Sequence, residues 1–398
     1  MKRTLAALLA ALMLLALPGC GEKEPEPVEP STPPVEIPAP EPSPAPLPEV
    51  IPIPEPEPLP EPDPIGDLLA AMTLEEKVGQ LFFVRVPAEN AVEDVMTYHL
   101  GGYILFGRDT KDKTASDLVQ TIASYQEAAD IPLLIGVDEE GGTVVRVSSN
   151  PHLRSKKFPS PQKLLQAENP YAAVAADTHE KNLLLAALGF NVNLAPVCDL
   201  STNPNDFIYD RTAGRDALGT AEYVDAAVDT MRADGMGSVL KHFPGYGNNV
   251  DTHTGIAVDG RPYEQFVRED FLPFEAGISS GSDTTAVLMS HNIVQCMDET
   301  LPASLSPEVH RILREELGFE GAVMTDDLAM DAVAAYAADG AVAVMAIEAG
   351  NDLILTTDYR TQIPKVLEAV ASGRLSETDI DTACRRCLAW KTALGLLG

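Results

Sequence analysis

The sequence is poor in cysteine and in basic residues, and each shortage excludes a class of protein. Only 5 of the 398 residues are cysteine, whereas small exported domains that rely on disulfides contain a much denser framework. Lysine and arginine total 28 against 60 aspartates and glutamates, which gives a formal net charge of −32. A surface with this excess of negative charge repels phosphate backbones, so we expect no nucleic-acid partner.

Spacings typical of metal sites are also missing from the sequence. It contains neither H-x-H nor H-E-x-x-H, and its one C-x-x-C pair, Cys384 and Cys387, falls within a helical pattern over residues 379–396. Because no second Cys/His pair lies nearby, we interpret the two cysteines as core-facing thiols rather than zinc ligands. We therefore predict that the protein uses no metal and no cofactor.

A run of apolar residues long enough for a membrane span is absent as well. The apolar stretch 5–17 follows Lys2 and Arg3, and this short pattern is typical of a signal peptide. It ends in Leu-Pro-Gly-Cys20, which resembles a bacterial lipobox. We predict that residues 1–20 are a lipoprotein signal peptide with lipid attached to Cys20. Ordinary signal cleavage beside an incidental cysteine is the alternative.

Residues 21–64 contain 18 of the 33 prolines and 11 acidic residues. Such a segment cannot bury a core and favours an extended form, so we predict a disordered, semi-rigid linker. A proline-rich ligand for another protein is the alternative. With the signal peptide, this linker predicts an exported protein that contacts the outer face of the bacterial cell membrane through its lipid anchor alone.

Residues 65–398 contain eight apolar runs of strand length that alternate with helical patterns. Buried strands alternating with helices predict an α/β fold with a parallel sheet, and eight such units favour a single (β/α)8 TIM-type barrel over an open doubly wound sheet. The predicted strands are 80–86, 102–106, 132–138, 191–197, 237–243, 286–292, 321–327 and 352–356. Helical spacing follows in segments such as 162–188, 221–233, 263–279 and 306–317.

Polar residues stand where several of these strands end. Active sites of such barrels lie at the carboxyl ends of the strands, so these side chains are expected to converge there. They are Asp138, Lys241, His242, Ser290, His291, Asp326 and Asp327.

The segment after Lys241-His242 is the most informative. It continues as Phe-Pro-Gly-Tyr-Gly-Asn-Asn-Val-Asp251-Thr-His253, in a loop that is long for a connection between a strand and a helix. Asp251 and His253 can point to the same side of an extended backbone, so the carboxylate can orient and polarise the imidazole for proton transfer. A structural hydrogen-bond network or a helix cap is the alternative.

Two further segments carry carboxylates. In Gly-Ala-Val-Met-Thr-Asp326-Asp327, either aspartate at the strand end is placed to attack the anomeric carbon of a sugar, although Asp327 also suits a helix N-cap. In Asp138-Glu-Glu-Gly-Gly-Thr-Val-Val-Arg146, the carboxylate and the guanidinium are usual partners of sugar hydroxyls, and the glycines allow close approach of the backbone.

The combination D-x-E-G-G-x-V-x-R, K-H-F-P-G-x-G, D-x-H and S/T-D-D-L resembles family 3 glycoside hydrolases, in particular their β-N-acetylhexosaminidase branch, over roughly residues 66–398. The resemblance implies a barrel and a retaining mechanism through a glycosyl-aspartate. It implies that Asp326 is the nucleophile, that His253 is the acid/base and that Asp251 supports it. The positions that it assigns to substrate binding are Asp138, Arg146, Arg211, Lys241 and His242.

The family pattern is not matched everywhere, since Tyr246 stands where members commonly have histidine. Some members carry a second, C-terminal domain, and the length of this chain leads us to expect the barrel alone. We predict a monomeric exo-β-N-acetylhexosaminidase that removes terminal GlcNAc from oligosaccharides or muropeptides of the cell wall. Alternatives are a β-glucosidase or β-xylosidase, a GlcNAc phosphorylase, a non-catalytic sugar-binding lipoprotein, and a metal-dependent barrel hydrolase that uses His242, His253, His291, Asp138 and Asp326.

Overall fold

The computed structural model of the protein describes Ala39 and residues 62–249, 257–330, 333, 336 and 340–398. The strands are β1 (Phe82–Arg85), β2 (Gly102–Leu105), β3 (Leu134–Val137), β4 (Glu139–Gly141), β5 (Val144–Val145), β6 (Val192–Asn193), β7 (Gly237–Phe243), β8 (Val258–Asp259), β9 (Thr285–Met289), β10 (Ile293–Val294), β11 (Val323–Thr325) and β12 (Ile354–Thr356). The predicted signal peptide, Cys20 and nearly all of the predicted linker lie outside the described residues.

Helices fill the connections between strands. They are α1 (Pro64–Ala71), α2 (Leu74–Gln80), α3 (Ala91–Tyr98), α4 (Gly107–Thr110), α5 (Ala115–Glu127), α6 (Pro161–Leu164), α7 (Pro170–Leu188), α8 (Ala217–Ala233), α9 (Tyr263–Gln265), α10 (Phe271–Gly281), α11 (Pro307–Arg311), α12 (Val342–Ala349), α13 (Tyr359–Ala371) and α14 (Glu377–Ala393). A π-helical segment, Phe266–Asp270, joins α9 to α10, and another, Ile312–Glu316, extends α11. Short 3-10 turns span Tyr209–Arg211, Ser282–Thr284 and Ala303–Leu305.

Eight strands form one parallel sheet in the order β11-β9-β7-β6-β3-β2-β1-β12. A parallel bridge between Met324 and Leu353 joins the two outer strands, and the amide of Leu353 donates to the carbonyl of Val323 at 3.0 Å. The sheet therefore closes on itself, which confirms the predicted barrel and excludes the open doubly wound sheet. Each of the eight apolar runs overlaps one of these strands, and seven of them contain it whole; β9 begins one residue before the run 286–292.

One predicted helix is divided. The pattern over residues 162–188 suggested a continuous helix, but α6 ends at Leu164 and α7 begins at Pro170. Proline lacks an amide donor and clashes with the preceding turn, so it is favoured at the first position of a helix and disfavoured in its interior. The prediction was wrong there because it followed apolar spacing across a proline.

The barrel is filled by side chains that alternate along its strands. One set of buried residues faces inward and packs into a common cluster, and the intervening residues pack outward against the helices. The inward set includes Phe83, Ile104, Leu134, Val192, Val239, Leu288, Met324 and Leu355. The outward set includes Phe82, Val84, Tyr103, Leu105, Ile135 and Val137. Because both faces are buried, the strands have the continuous apolar character from which they were predicted.

The last helix, α14, covers the amino-terminal end of the barrel. It begins with a capping box in which Ser376 and Asp379 exchange side-chain and backbone hydrogen bonds. Its Trp390 is buried among the inward-facing residues and donates through Nε1 to the carbonyl of Thr284 at 2.9 Å. The barrel is thus sealed at the end opposite to the one where polar residues follow the strands.

Cys384 and Cys387 lie on α14, and both thiols are buried and unpaired. Cys384 packs with the outer core, and Cys387 packs with the barrel interior. The interpretation of this pair as core-facing thiols is therefore confirmed. Within the described ranges, no helix combines the length and the apolar character that crossing a bilayer requires.

Candidate active site

Strand β7 brings two consecutive polar side chains to the carboxyl rim of the barrel. Successive residues of a regular strand face opposite sides, but the register between β7 and β9 shifts between Lys241 and Phe243. As a result, both Lys241 and His242 contact other polar residues of the rim. Both are buried, with 2% and 6% of their surface exposed.

The three carboxylates of the segment Asp138–Glu139–Glu140, which follows β3, have two different roles. Glu139 accepts hydrogen bonds from the amides of the turn that follows, including Val147 at 2.7 Å, and so holds the β4–β5 hairpin in place. Asn193 of β6 donates to the carbonyl of Glu139 and accepts from its amide. The flanking side chains of Asp138 and Glu140 point to the other side, where they contact Lys241.

These two carboxylates and two cations form a buried ionic network. The Nζ of Lys241 lies 2.7 Å from Asp138 and 2.6 Å from Glu140. Glu140 also binds Arg211 through two nearly parallel hydrogen bonds of 3.0 and 2.8 Å. Burial opposes ionisation of Glu140, but the charges of Arg211 and Lys241 outweigh it and hold the pKa of Glu140 well below its usual range. Glu140 therefore keeps its charge at neutral pH.

His242 extends the network to a further carboxylate. Its Nδ1 lies 2.7 Å from Asp199, and its Nε2 lies 3.3 Å from the Nη2 of Arg211. A guanidinium only donates hydrogen bonds, so Nε2 accepts and Nδ1 carries the proton that is donated to Asp199. Asp199 also accepts from the amide of Tyr246 at 2.7 Å, which fixes the start of the loop after β7.

Asp326 and Asp327 follow β11, two strands away from β7 in the sheet. Asp327 is committed to the turn, because its Oδ1 accepts from the amide of Ala329 at 3.0 Å and its Oδ2 from the hydroxyl of Thr357 at 3.1 Å. The Nε2 of His291 donates to the carbonyl of Asp327 at 3.1 Å and stabilises the same turn. The Asp326 carboxylate accepts from the amide of Asp327 at 2.8 Å. These contacts place Asp327 in a turn, and its role as a helix N-cap stays a prediction.

The structure thus brings Asp138, Arg211, Lys241 and His242 into direct contact. Arg146 is joined to the group through its backbone, since its amide donates to Glu139 at 2.8 Å. Its Nε is buried without a hydrogen-bond partner in the described structure. The predicted acid/base residue His253 and its supporting Asp251 lie outside the described residues. Their roles, and that of Asp326, remain predictions.

Two members of the network were not predicted as site residues. Glu140 occupies the third position of D-x-E-G-G, where a carboxylate next to glycines resembles an ordinary acidic turn. Asp199 ends the segment 191–199, two residues beyond the predicted strand. The signal that could have found both is their position after strands, which is the same signal that identified Asp138 and Lys241.

Across the residues that the structure describes, no group of three or more histidine, cysteine, aspartate or glutamate side chains is arranged to hold a metal ion. What the rim offers instead is a set of charged hydrogen-bonding groups held at fixed positions. Carboxylates accept and cations donate, so together they can bind the alternating hydroxyl groups of a sugar.

Comparison with known proteins identifies the family. A family model described as the glycosyl hydrolase family 3 N-terminal domain matches residues 73–389. A β-hexosaminidase from Xylella fastidiosa (strain 9a5c) is 36% identical over 286 residues, which cover 70% of this chain and 82% of that protein.

Solved structures agree with this assignment. A glycoside hydrolase family 3 β-N-acetylglucosaminidase from Paenibacillus sp. str. FPU-7 aligns with a TM-score of 0.76 and 33% identity, over 82% of this chain and 64% of that one. A β-N-acetylhexosaminidase from Beutenbergia cavernae DSM 12333 aligns with a TM-score of 0.71 and 30% identity, over 81% of this chain and 99% of that one. The chain therefore belongs to glycosyl hydrolase family 3, whose N-terminal domain forms its barrel, and it is a glycoside hydrolase.

Proposed function

We propose that this glycoside hydrolase is a retaining exo-β-N-acetylhexosaminidase that removes terminal, non-reducing β-linked N-acetylglucosamine. The observation that carries the proposal is the ionic network of Asp138, Lys241, Arg211 and His242. It lies at the rim of the barrel where Asp326 follows β11, two strands away from β7. The names of the relatives, β-hexosaminidase and β-N-acetylglucosaminidase, support the choice of sugar.

Binding of the terminal sugar is assigned to the network. Asp138 accepts hydrogen bonds from hydroxyl groups, and Lys241, Arg211 and Arg146 donate to hydroxyl or carbonyl oxygens. His242 is held as the tautomer that leaves Nε2 an acceptor. Because Asp138, Lys241, Arg211 and His242 are already held by their mutual contacts, they lose little conformational entropy when a sugar binds.

The reaction proceeds in two steps. In the first, the Asp326 carboxylate attacks the anomeric carbon, the glycosidic bond breaks, and His253 gives its proton to the departing oxygen. In the second, neutral His253 takes a proton from water as the water oxygen attacks the anomeric carbon, and the Asp326 ester bond breaks. Asp251 orients the imidazole through both steps. The unperturbed pKa of histidine, about 6.5, suits both directions of proton transfer near neutral pH.

Substitution of the two reacting groups tests the mechanism. We expect Asp326→Ala and His253→Ala to lose about 1,000-fold or more in the turnover of 4-nitrophenyl β-GlcNAc. The matched control is Asp327→Asn, which removes a neighbouring negative charge and is expected to stay within about tenfold of the wild type, because Asp327 acts in the turn. Near-wild-type turnover in either of the first two variants refutes the mechanism.

A panel of 4-nitrophenyl β-glycosides tests the sugar. We expect the GlcNAc glycoside to give the highest kcat/KM, and a preference for glucose or xylose refutes the substrate assignment. Product analysis with and without phosphate distinguishes hydrolysis from phosphorolysis, which a neutral histidine base also permits. Release of free GlcNAc under both conditions supports a hydrolase.

We further propose that the enzyme is exported, lipid-anchored through Cys20 on the outer face of the cell membrane, and acts there on peptidoglycan-derived fragments. The lipobox-like sequence and the proline-rich linker support this location. Cys20→Ser is expected to move the protein from the membrane fraction to the soluble fraction of the producing cell. Equal membrane association of the two proteins contradicts the anchor.

A further inference from the structure

Arg261 is a buried arginine just beyond β8, close to the network but separate from it. Only 18% of its side chain is exposed, and the two carboxylates that it binds are almost fully buried. Its Nη1 donates to both oxygens of Asp270 at 3.0 and 2.8 Å, and its Nε and Nη2 donate to Asp259 at 2.9 and 2.8 Å. The guanidinium also lies over the ring of Phe266, 4.3 Å from the ring centroid. We call Arg261, Asp259 and Asp270 the arginine clamp.

The clamp contacts the chain on both sides of the segment that holds Asp251 and His253. On the amino-terminal side, the Nη2 of Arg261 approaches the carbonyl of Gly245 at 3.5 Å. On the carboxyl-terminal side, the amide of Arg261 donates to Asp259 at 2.9 Å. Asn249 links the two sides directly, because its amide group donates to the carbonyl of Tyr246 at 3.0 Å and to Asp259 at 3.2 Å.

The fit around the clamp leaves no room for side chains on the facing backbone. A Cβ at Gly245 would lie 2.4 Å from Asp270, and one at Gly247 would lie 2.7 Å from the guanidinium of Arg261. Both glycines have positive φ, 127° and 59°, which other residues rarely adopt. The loop after β7 is therefore shaped to lie directly on the clamp.

Each side is also fixed to the barrel independently of the clamp. Before the segment, the amide of Tyr246 donates to Asp199, the partner of His242. After it, β8 pairs with β10, which follows β9 of the barrel. The clamp thus connects two segments of the chain, each of which is also anchored to the barrel elsewhere.

We propose that Arg261 is a positioning residue for the acid/base: by tying residues 245–249 to residues 257–261, it sets where the segment bearing His253 begins and ends. The inference deepens the proposed function and rests on it for the role of His253. Arginine suits this task because its planar fork binds two carboxylates and a carbonyl at once, which the single ammonium of lysine cannot do.

The charges around the clamp are consistent with a rigid tie. Burial opposes the charged form of Arg261, but its hydrogen bonds to Asp259 and the charge of Asp270 outweigh burial and raise its pKa. Both buried carboxylates therefore bind the same charged guanidinium. Loss of the cation leaves both carboxylates without their main partner.

The test is the dependence of activity on the leaving group. A leaving group that departs without protonation, such as 2,4-dinitrophenolate, needs no general acid. The less acidic 4-methylumbelliferone leaves faster when a general acid gives it a proton. In Arg261→Lys we expect kcat/KM for the 4-methylumbelliferyl glycoside to fall about tenfold or more. For the dinitrophenyl glycoside we expect kcat/KM of the variant to stay within about threefold of the wild type. Added azide should raise the kcat of the variant, because azide replaces the water that the base no longer activates.

Controls separate this role from a structural one. Arg268→Lys is the matched variant, because Arg268 is exposed on the π-helical segment that follows Arg261 and, among the described residues, its hydrogen bond goes to the backbone carbonyl of Glu264. Both glycosides should react with this variant as with the wild type. His253→Ala should show the same dependence on the leaving group as Arg261→Lys. An equal loss on both glycosides, or no loss on either, in a folded Arg261→Lys variant overturns the proposal.

If thermal unfolding shows that Arg261→Lys does not fold, Asn249→Ala decides the question. It removes the direct link between the two sides and leaves the buried ion pairs intact, so the same selective loss is expected at a smaller size, about threefold. An unchanged ratio of the two rates in Asn249→Ala then overturns the proposal. If the wild type prefers another sugar, the same two leaving groups are used on that sugar, so failure of the substrate assignment leaves this test intact.

Discussion

Glu140 offers the sharpest test of the network at the barrel rim, because one substitution removes the charge that two cations share. Glu140→Gln keeps the shape of the side chain and one acceptor oxygen. It leaves Arg211 with half of its paired hydrogen bonds, and it places an amide donor near Lys241 or Arg211, which are donors themselves. Lys241 keeps its contact with Asp138 at 2.7 Å. In the variant, Lys241 and Arg211 therefore each keep part of their hydrogen bonding.

The size of the effect follows from burial. Removing one partner of a buried ion pair costs about 3–5 kcal/mol, since the remaining charge stays out of water. Glu140 is 4% exposed, and the remaining contacts of Lys241 place the expected loss near the lower end, about 3 kcal/mol. For the 334 residues of the barrel domain, the unfolding entropy is about 0.7 kcal/mol per kelvin. We therefore expect Tm to fall by about 4 °C.

The assay is thermal and urea unfolding at several pH values, with Glu180→Gln as control. Glu180 is exposed and pairs with Arg154, so its variant should lose less than about 1 kcal/mol. The pKa of Glu140 lies below its unfolded value of 4.5, so its stabilisation is present above pH 4.5 and is lost as the pH falls. The gap between wild type and Glu140→Gln should thus shrink below pH 4.5. A gap that is equal at pH 7 and pH 3, or no gap, refutes the reasoning.

Two further substitutions probe neighbouring carboxylates. Asp199→Asn removes the carboxylate that accepts the Nδ1 proton of His242. Loss of a charge-assisted hydrogen bond of about 2 kcal/mol predicts a roughly thirtyfold lower kcat/KM for aryl GlcNAc glycosides. Unchanged kinetics contradict this prediction. Burial raises the pKa of Asp270 to about 6 against the opposing charge of Arg261, with Asp259 also facing it. Ionisation of Asp270 therefore costs stability as the pH rises from about 4 to 6. Urea unfolding of Asp270→Asn should show the variant gaining on the wild type across that range, and a constant difference opposes this.

The barrel was predictable from the sequence because each of its strands is buried on both faces. Burial on both faces requires an unbroken apolar run, and such runs survive in the sequence whatever the register of the strands. Closure of the sheet depends on a contact between Met324 and Leu353 that no local pattern records. The number of alternating units predicted it instead, because eight strands suit a closed barrel.

For the candidate site, residue type and position in the sequence predicted fewer of the contacts than they did for the barrel. A carboxylate at a strand end was expected to face the rim, and Asp138 does so. Glu139, its neighbour, turns away and binds backbone amides, whereas Glu140 forms the centre of the network. All three are acidic residues in one short segment. Their tasks differ because of a hairpin register and an arginine 71 residues away, and neither is encoded locally.

The two ends of the barrel explain how the fold tolerates so many buried charges. At the amino-terminal end, Trp390 and its neighbours on α14 fill the interior with apolar side chains, and this burial is favourable without directional partners. At the carboxyl end, the charges of Lys241, Arg211 and Glu140 are stable only while each keeps its partners. A sugar that binds there can replace or add hydrogen bonds without disturbing the packing that holds the strands. Substitutions at the rim should therefore change activity before they unfold the barrel, whereas those under α14 should do the reverse.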